Sequence, residues 1–343
     1  MTSAPTAFDV VFNHDGSGML AELAKSGMTE DDVSRVLVDP LKNTAITVID
    51  WGIMTTGQHN CRTRHGRGFV GDGHGRESDR LVGEVVIHFN RQPNDLLDIV
   101  IKRGHAAGLQ VFGNIRLNHS ALNTGRLLSC PGRNFDGKKD FRDSAFHVYL
   151  CELVEDVLAK GVDGISLDFE RKAPFFPDDA PQCERTEATT EFLCKVRALT
   201  DMPIIVRVSH DPSNGEPQGQ DPEQWMAQGL VDIVVPATHN HDPDTLDWSF
   251  DRFLTAATRS PRPCRVWPQI WPTGESWETE KDGVGARHDP QTILRRVEQI
   301  RDSGAQGVYF FNFCCFDIHP EYVPMLQRIG RERVANKKDA DDA

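Results

Sequence analysis

No run of about 18 apolar residues occurs in the chain, so no membrane-spanning helix is expected. An excess of basic charge is also missing. The sequence carries 38 Lys and Arg against 51 Asp and Glu, a formal net charge of −13. An acidic chain without a basic cluster is a poor ligand for nucleic acid or an anionic membrane. Neither is therefore expected as a partner, and the oligomeric state is left open. The eight cysteines form no CxxC or CxxH spacing of the zinc type. They read as reduced, mostly buried thiols, the vicinal pair Cys314-Cys315 included. No Gly-x-Gly-x-x-Gly follows a strand-like segment, which argues against dinucleotide binding. Met1–Ala7 lacks the charged and apolar regions of a signal peptide, so a cytoplasmic location is expected unless a signal has been removed. Metal and cofactor are both expected to be absent.

What the chain does have is alternation of two periodicities. Period-two segments, read as strands, fall at Asp9–Asn13, Ile46–Gly52, Gln110–Asn118, Gly164–Glu170, Ile204–Ser209, Ile233–Thr238, Arg265–Trp271 and Gly307–Phe313. Between them lie helical stripes, such as Leu150, Leu153, Val154, Val157 and Leu158 within 145–160. Gly108, Gly161 and Gly304 each stand between a helix and a strand, where a helix C-cap is expected. Eight such units in series predict an α/β fold, a single-domain (β/α)8 TIM barrel over residues 8–330. Residues 331–343 form a charged tail, expected to be disordered. The stretches 57–84 and 172–184 read as long loops overhanging the barrel mouth.

The segment from Gly161 to Arg171 is the most telling. Ile165, Leu167 and Phe169 share one face of a strand, and Ser166, Asp168 and Glu170 share the other. In a barrel the second face looks into the mouth, where two carboxylates are suited to glycosidic bond cleavage. Polar residues near the other strand ends complete the set. His14, Asp50, Arg116, Asn118, Arg171, His210, His239, Gln269, Trp271 and Asn312 are candidates for binding sugar hydroxyls and ring faces. Asp15 is a candidate catalytic acid beside Asp168 and Glu170, with Asp50 and Asp211 as further partners across the mouth. Each has a structural alternative. Asp168 could neutralise Arg116 or Arg207 inside the barrel, Glu170 could pair on the rim with Arg171 or Lys172, and the histidines could cap loops. His239-x-His241 could ligate a divalent ion.

The octad Asp163-Gly164-Ile165-Ser166-Leu167-Asp168-Phe169-Glu170 resembles the strand-4 signature D-G-x-D-x-D-x-E of family 18, chitinase-like glycoside hydrolases, with Ser166 where that family has Asp. The resemblance implies Glu170 as the acid and Asp168 as the residue that positions an N-acetyl group. Phe12-Asn13-His14-Asp15-Gly16, Asn114-Ile115-Arg116-Leu117-Asn118, the Asp163–Phe169 segment with Arg171, and the stretch from Trp225 to Pro236 are similar to family 10-like glycoside hydrolase-like barrel proteins of bacteria. In that group the position of Glu170 is often not acidic, which shifts weight to Asp168, Asp15, Arg116 and Asn118. The expected function is carbohydrate hydrolysis by carboxylate acid/base chemistry, in polysaccharide degradation. The alternatives are a metal- or histidine-assisted lyase, isomerase or hydrolase on a sugar-like substrate, and a non-catalytic carbohydrate-binding barrel.

Overall fold

A computed structural model describes residues 8–16, 19–65, 67–71, 77–118, 124–171, 173–238, 248–272, 289–313 and 322–329. The period-two segments form eight barrel strands: β1 (Asp9–His14), β2 (Val48–Gly52), β3 (Gln110–Arg116), β4 (Gly164–Asp168), β5 (Ile204–Ser209), β6 (Ile233–Ala237), β7 (Arg265–Val266 and Gln269–Ile270) and β8 (Gly307–Phe310). All pair in parallel, each with its neighbours in chain order, and β1 pairs with β8. The sheet closes through β7, whose first piece pairs with β6 and whose second pairs with β8. Between the pieces lies Trp267-Pro268. Proline has no N–H to give to a ladder, so the strand is interrupted there. The gap is bridged by Trp267 N–H to Val234 O and by Tyr309 N–H to Pro268 O.

Helices cover the barrel. Leu96–Ala106 precedes β3 and starts at Asp95, which makes a reciprocal capping box with Asp98. Ser144–Leu158 precedes β4 with Asp143 as its cap, and Gln182–Leu199 precedes β5. Pro290–Asp302 precedes β8 with Asp289 as its cap. Two apolar layers result. Outward residues such as Ile165, Leu167, Val206 and Val208 join the large core under the helices. Inward residues including Val11, Val48, Phe112, Ile205, Trp267 and Tyr309 fill the barrel. None of the described helices is long and apolar enough to cross a membrane.

Three expected strands stop two or three residues early, and β8 ends at Phe310 rather than Phe313. Strand β4 ends at Asp168 rather than Glu170 because the Asp168 carboxylate takes the N–H groups of Glu170 and Arg171, at 3.0 and 3.1 Å. A side chain that captures the next backbone donors turns the chain out of the ladder. Strand β3 ends at Arg116. The expected loop at 57–84 also carries more structure than its composition suggested. It contributes Gln58–His59 and Arg67–Gly68 to a small sheet with Met54–Thr55, and the helix Glu77–Asn90 starts within it. The helix Gln182–Leu199 likewise begins inside 172–184.

Gly164 shows how closely the interior is packed. A Cβ there would lie 2.3 Å from the Phe112 ring and 2.6 Å from the Pro203 carbonyl oxygen. We therefore expect Gly164→Ala to destabilise the fold by about 3 kcal/mol, the scale of overpacking a rigid core. An unchanged urea midpoint would show that the layer at Phe112 is looser than described.

Candidate functional site

Inward parity continues up each strand to the C-terminal face, where the interior turns from apolar to polar. Low in this region lies Asp50, fully buried. Its Oδ2 accepts from Asn13 Nδ2 at 3.0 Å, Asn114 Nδ2 at 2.9 Å and Ser166 Oγ at 3.3 Å, and from the Tyr309 hydroxyl. Burial pushes the Asp50 carboxyl up to about 6 despite these donors. Asp50 was expected among substrate ligands. Instead its bonded oxygen ties β1, β2, β3, β4 and β8 together beneath the mouth.

One level higher, Asp168 and Arg207 face each other across neighbouring strands and form an ion pair of 2.8 Å, with side chains 1% and 3% exposed. Arg207 is braced on a second side by Gln269, whose Oε1 accepts from Nε at 2.6 Å. Its guanidinium carbon lies 3.7 Å from the centroid of the Phe311 ring. Trp271 meets the same ring edge-on at 5.0 Å, and Arg171 lies 5.8 Å from it. Asp168 receives all three of its donors on Oδ1, namely Arg207 Nη1 and the N–H groups of Glu170 and Arg171. Its Oδ2 is buried and has no hydrogen-bond partner among the described residues. The structural alternative foreseen for Asp168, pairing with Arg207, is thus realised through one of its two oxygens.

Arg116 stands on β3 in register with Asp168. Its Nη2 donates to Asn312 Oδ1 at 3.1 Å. Asn312 is set by a positive φ of 49° and by its own N–H, which donates to Asn13 Oδ1 at 3.1 Å. On the other side of β4, Glu170 is 6% exposed and accepts from Gln220 Nε2 at 2.9 Å. Gln220 also accepts from Ser209 N–H and so links the ends of β4 and β5. His210, half-buried, packs on Trp248 with ring centroids 4.7 Å apart. Burial lowers its pKa, while the charges of Asp211 and Glu170 oppose that shift.

Several expected ligands are engaged elsewhere. His14 lies on the outward face of β1, stacked on Trp51 at 4.4 Å and 12°. The inward side chain at that strand end is Asn13. Asn118 holds the hairpin 134–139, with Nδ2 donating to Lys139 O at 2.9 Å and Oδ1 accepting from Lys139 N–H. Asp211 caps the short helix Pro212–Gly215 by accepting from Ser213 N–H. Asp15 is half-buried next to His14, whose pKa it raises. His239, His241 and Cys314-Cys315 lie outside the described residues. Among the described residues no group of three or more His, Cys, Asp or Glu is placed to hold a metal ion. Asn13, Gln220, Trp248, Tyr309 and Phe311 were missed. Parity would have found Asn13, Tyr309 and Phe311, whereas Gln220 and Trp248 enter from connections between strands.

No protein-family model matches the chain, and no curated protein is similar to it in sequence. Solved structures do resemble it. The glycoside hydrolase domain of PgaB (BpsB) from Bordetella bronchiseptica is 14% identical with a TM-score of 0.57, covering 92% of this chain and 97% of that one. A chitinase from Bacteroides thetaiotaomicron is 12% identical with a TM-score of 0.51, covering 94% and 96%. A GH113 β-1,4-mannanase is 11% identical with a TM-score of 0.51, covering 96% and 98%. At these identities the likeness shows the fold, a single-domain α/β TIM barrel.

Burial of titratable groups makes stability depend on pH. His14, His59 and His147 are each lowered from 6.5 to about 4, with burial as the largest cause. On acidification from pH 6.5 the unfolded chain takes up three protons that the fold refuses until about pH 4. Asp50 acts in the opposite sense, because its folded form binds a proton near pH 6 and its unfolded form only near 3.8. Three groups outweigh one, so unfolding free energy should fall by on the order of 3 kcal/mol from pH 7 to pH 5. Urea melts at the two values check this, and equal or greater stability at pH 5 would contradict the burial of these rings.

Proposed function

We infer that the barrel is a glycoside hydrolase, with the reaction carried out at the end of β4. The observation that carries this reading is the pair of carboxyl groups there. Asp168 is held in place by Arg207 and two backbone N–H groups and keeps Oδ2 for a ligand. Glu170, two residues on, is held by Gln220. Glu170 is the candidate acid that protonates the leaving oxygen. Asp168 is the candidate partner, acting either on the anomeric centre or, as the family 18-like octad implies, on an N-acetyl group that itself attacks. Trp271, packed edge-on against Phe311, is the candidate ring for stacking on a sugar, and Arg116 and Arg171 are candidate donors for its oxygens.

The neighbouring folds support the same class, since PgaB, the chitinase and the mannanase are barrels named for glycoside hydrolysis. The likeness to family 10-like barrel proteins, read from the sequence, agrees with it. The second acid across the mouth, if one is used, is Asp15, because Asp50 lies below the site and Asp211 caps a helix.

The test is a panel of glycans with product detection. Glu170→Gln retains the acceptor for Gln220 and should lower turnover by about a hundredfold or more, with an unchanged melting temperature. Asp168→Asn should lower both turnover and stability, the latter by about 3 kcal/mol, because it leaves Arg207 buried without its countercharge. Full activity in Glu170→Gln would remove it from the mechanism. Glycan binding without product in the wild type would favour a binding barrel instead.

A further inference from the structure

The two inward arginines of the mouth differ in how their charge is met. Arg207 has a carboxylate, an amide and an aromatic face. Arg116 is equally removed from water, at 5% exposed, yet among the described residues no carboxylate is in ion-pair contact with it. Its register neighbour Asp168 gives its bonded oxygen to Arg207. The other inward acid, Asp50, is bonded by Tyr309, Asn114, Asn13 and Ser166. The side-chain hydrogen bond of Arg116 reaches only the neutral amide of Asn312, and its Nε is buried and unbonded among the described residues. Its charge is nonetheless felt nearby. After burial, and against the charge of Asp15, Arg116 contributes to holding His14 at about 4.

A buried guanidinium without a countercharge is costly. Nothing in the packing forces the choice of arginine, because Asn312 could be held by a neutral donor. The guanidinium is also pre-set. Asp50 holds Asn13, Asn13 holds the Asn312 backbone, and Asn312 holds Nη2. A planar fork held at Nη2, with Nε unbonded among the described residues, matches a carboxylate better than a hydroxyl. The net charge of −13 acts at long range, where salt screens it, and the neighbouring Asp168 carboxylate is met by Arg207, whereas Arg116 acts at contact.

We propose that Arg116 is the anion-recognition group of the mouth and that the saccharide bound there carries a carboxylate, as a uronic acid unit does. This rests on the reading of the barrel as a saccharide-acting enzyme and adds the charge class of its substrate. Asn312 is then a positioning residue that orients the fork.

The experiment titrates tetrasaccharides of glucuronate, galacturonate and mannuronate into the wild-type protein by calorimetry, each beside its carboxyl-reduced, neutral counterpart. At least one acid form should bind about tenfold or more tightly than its neutral counterpart. Arg116→Gln should abolish that preference. Arg116→Lys, which keeps the charge and loses the fork, should retain part of it and serves as the second variant if the first fails to fold. Equal or tighter binding of the neutral forms overturns the proposal and leaves the glycoside hydrolase reading standing. A preference for acid forms that survives in both variants places the anion site elsewhere and also overturns it. Binding of none of these saccharides overturns the proposal, and the glycan panel with product detection decides the glycoside hydrolase reading separately.

Discussion

The buried pair between Asp168 and Arg207 is the interaction around which the mouth is arranged. Two opposite charges have been taken out of water, and their mutual attraction at 2.8 Å offsets a desolvation cost of several kcal/mol per ion only because other groups complete their bonding. On the arginine side these are Gln269 and the face of Phe311. On the aspartate side they are the N–H groups of Glu170 and Arg171. The same two N–H groups end β4. The ion pair, the end of the strand and the direction taken by Glu170 are therefore one structural event. A change at Asp168 cannot be confined to chemistry, and a change at Arg207 cannot be confined to stability.

Below this pair, Asp50 performs the corresponding task for the barrel's middle. Four side chains from four strands converge on its Oδ2, while its Oδ1 and the Asn114 Oδ1 are buried without a hydrogen-bond partner among the described residues. Asn13 belongs to both levels, giving its amide hydrogens to Asp50 and its oxygen to Asn312. Position is passed upward from the packed floor to Arg116 by hydrogen bonds of fixed direction. A site built on strands and supported in this way is held more firmly than one carried by loops. Asp168 Oδ2 and Arg116 Nε are buried without a hydrogen-bond partner among the described residues, as are those two oxygens on the level below.

Strand alternation is exact in the ladder and fails at its ends. That separates the site residues which could be read from sequence from those which could not. Asp168, Arg116 and Gln269 lie within strands, and their inward direction follows from parity alone. Asn13 and His14 are adjacent, so parity had to choose between them. Hydroxyl-binding chemistry pointed to His14, and the register placed Asn13 inside. Asn118 was assigned by extending β3 two residues too far, past the point where its amide turns to the hairpin at Lys139. Gln220 lies between elements, where no periodicity exists to be read.

Residue order alone therefore determined the number of strands, their sequence around the barrel and the face that carries the acids, because each depends on local periodicity and chain connectivity. The lack of a long apolar run predicted no membrane-spanning helix, and none of the described helices is long and apolar enough to cross a membrane. Tertiary structure decided which charge meets which. Asp168 is in register with two arginines, Arg116 on β3 and Arg207 on β5, and it is Arg207, braced by Gln269 and the face of Phe311, that meets its carboxylate at 2.8 Å. That selection left Arg116 with an amide for a partner. Pairing energies depend on distance and burial, which are properties of the closed barrel, and they cannot be read from any one strand.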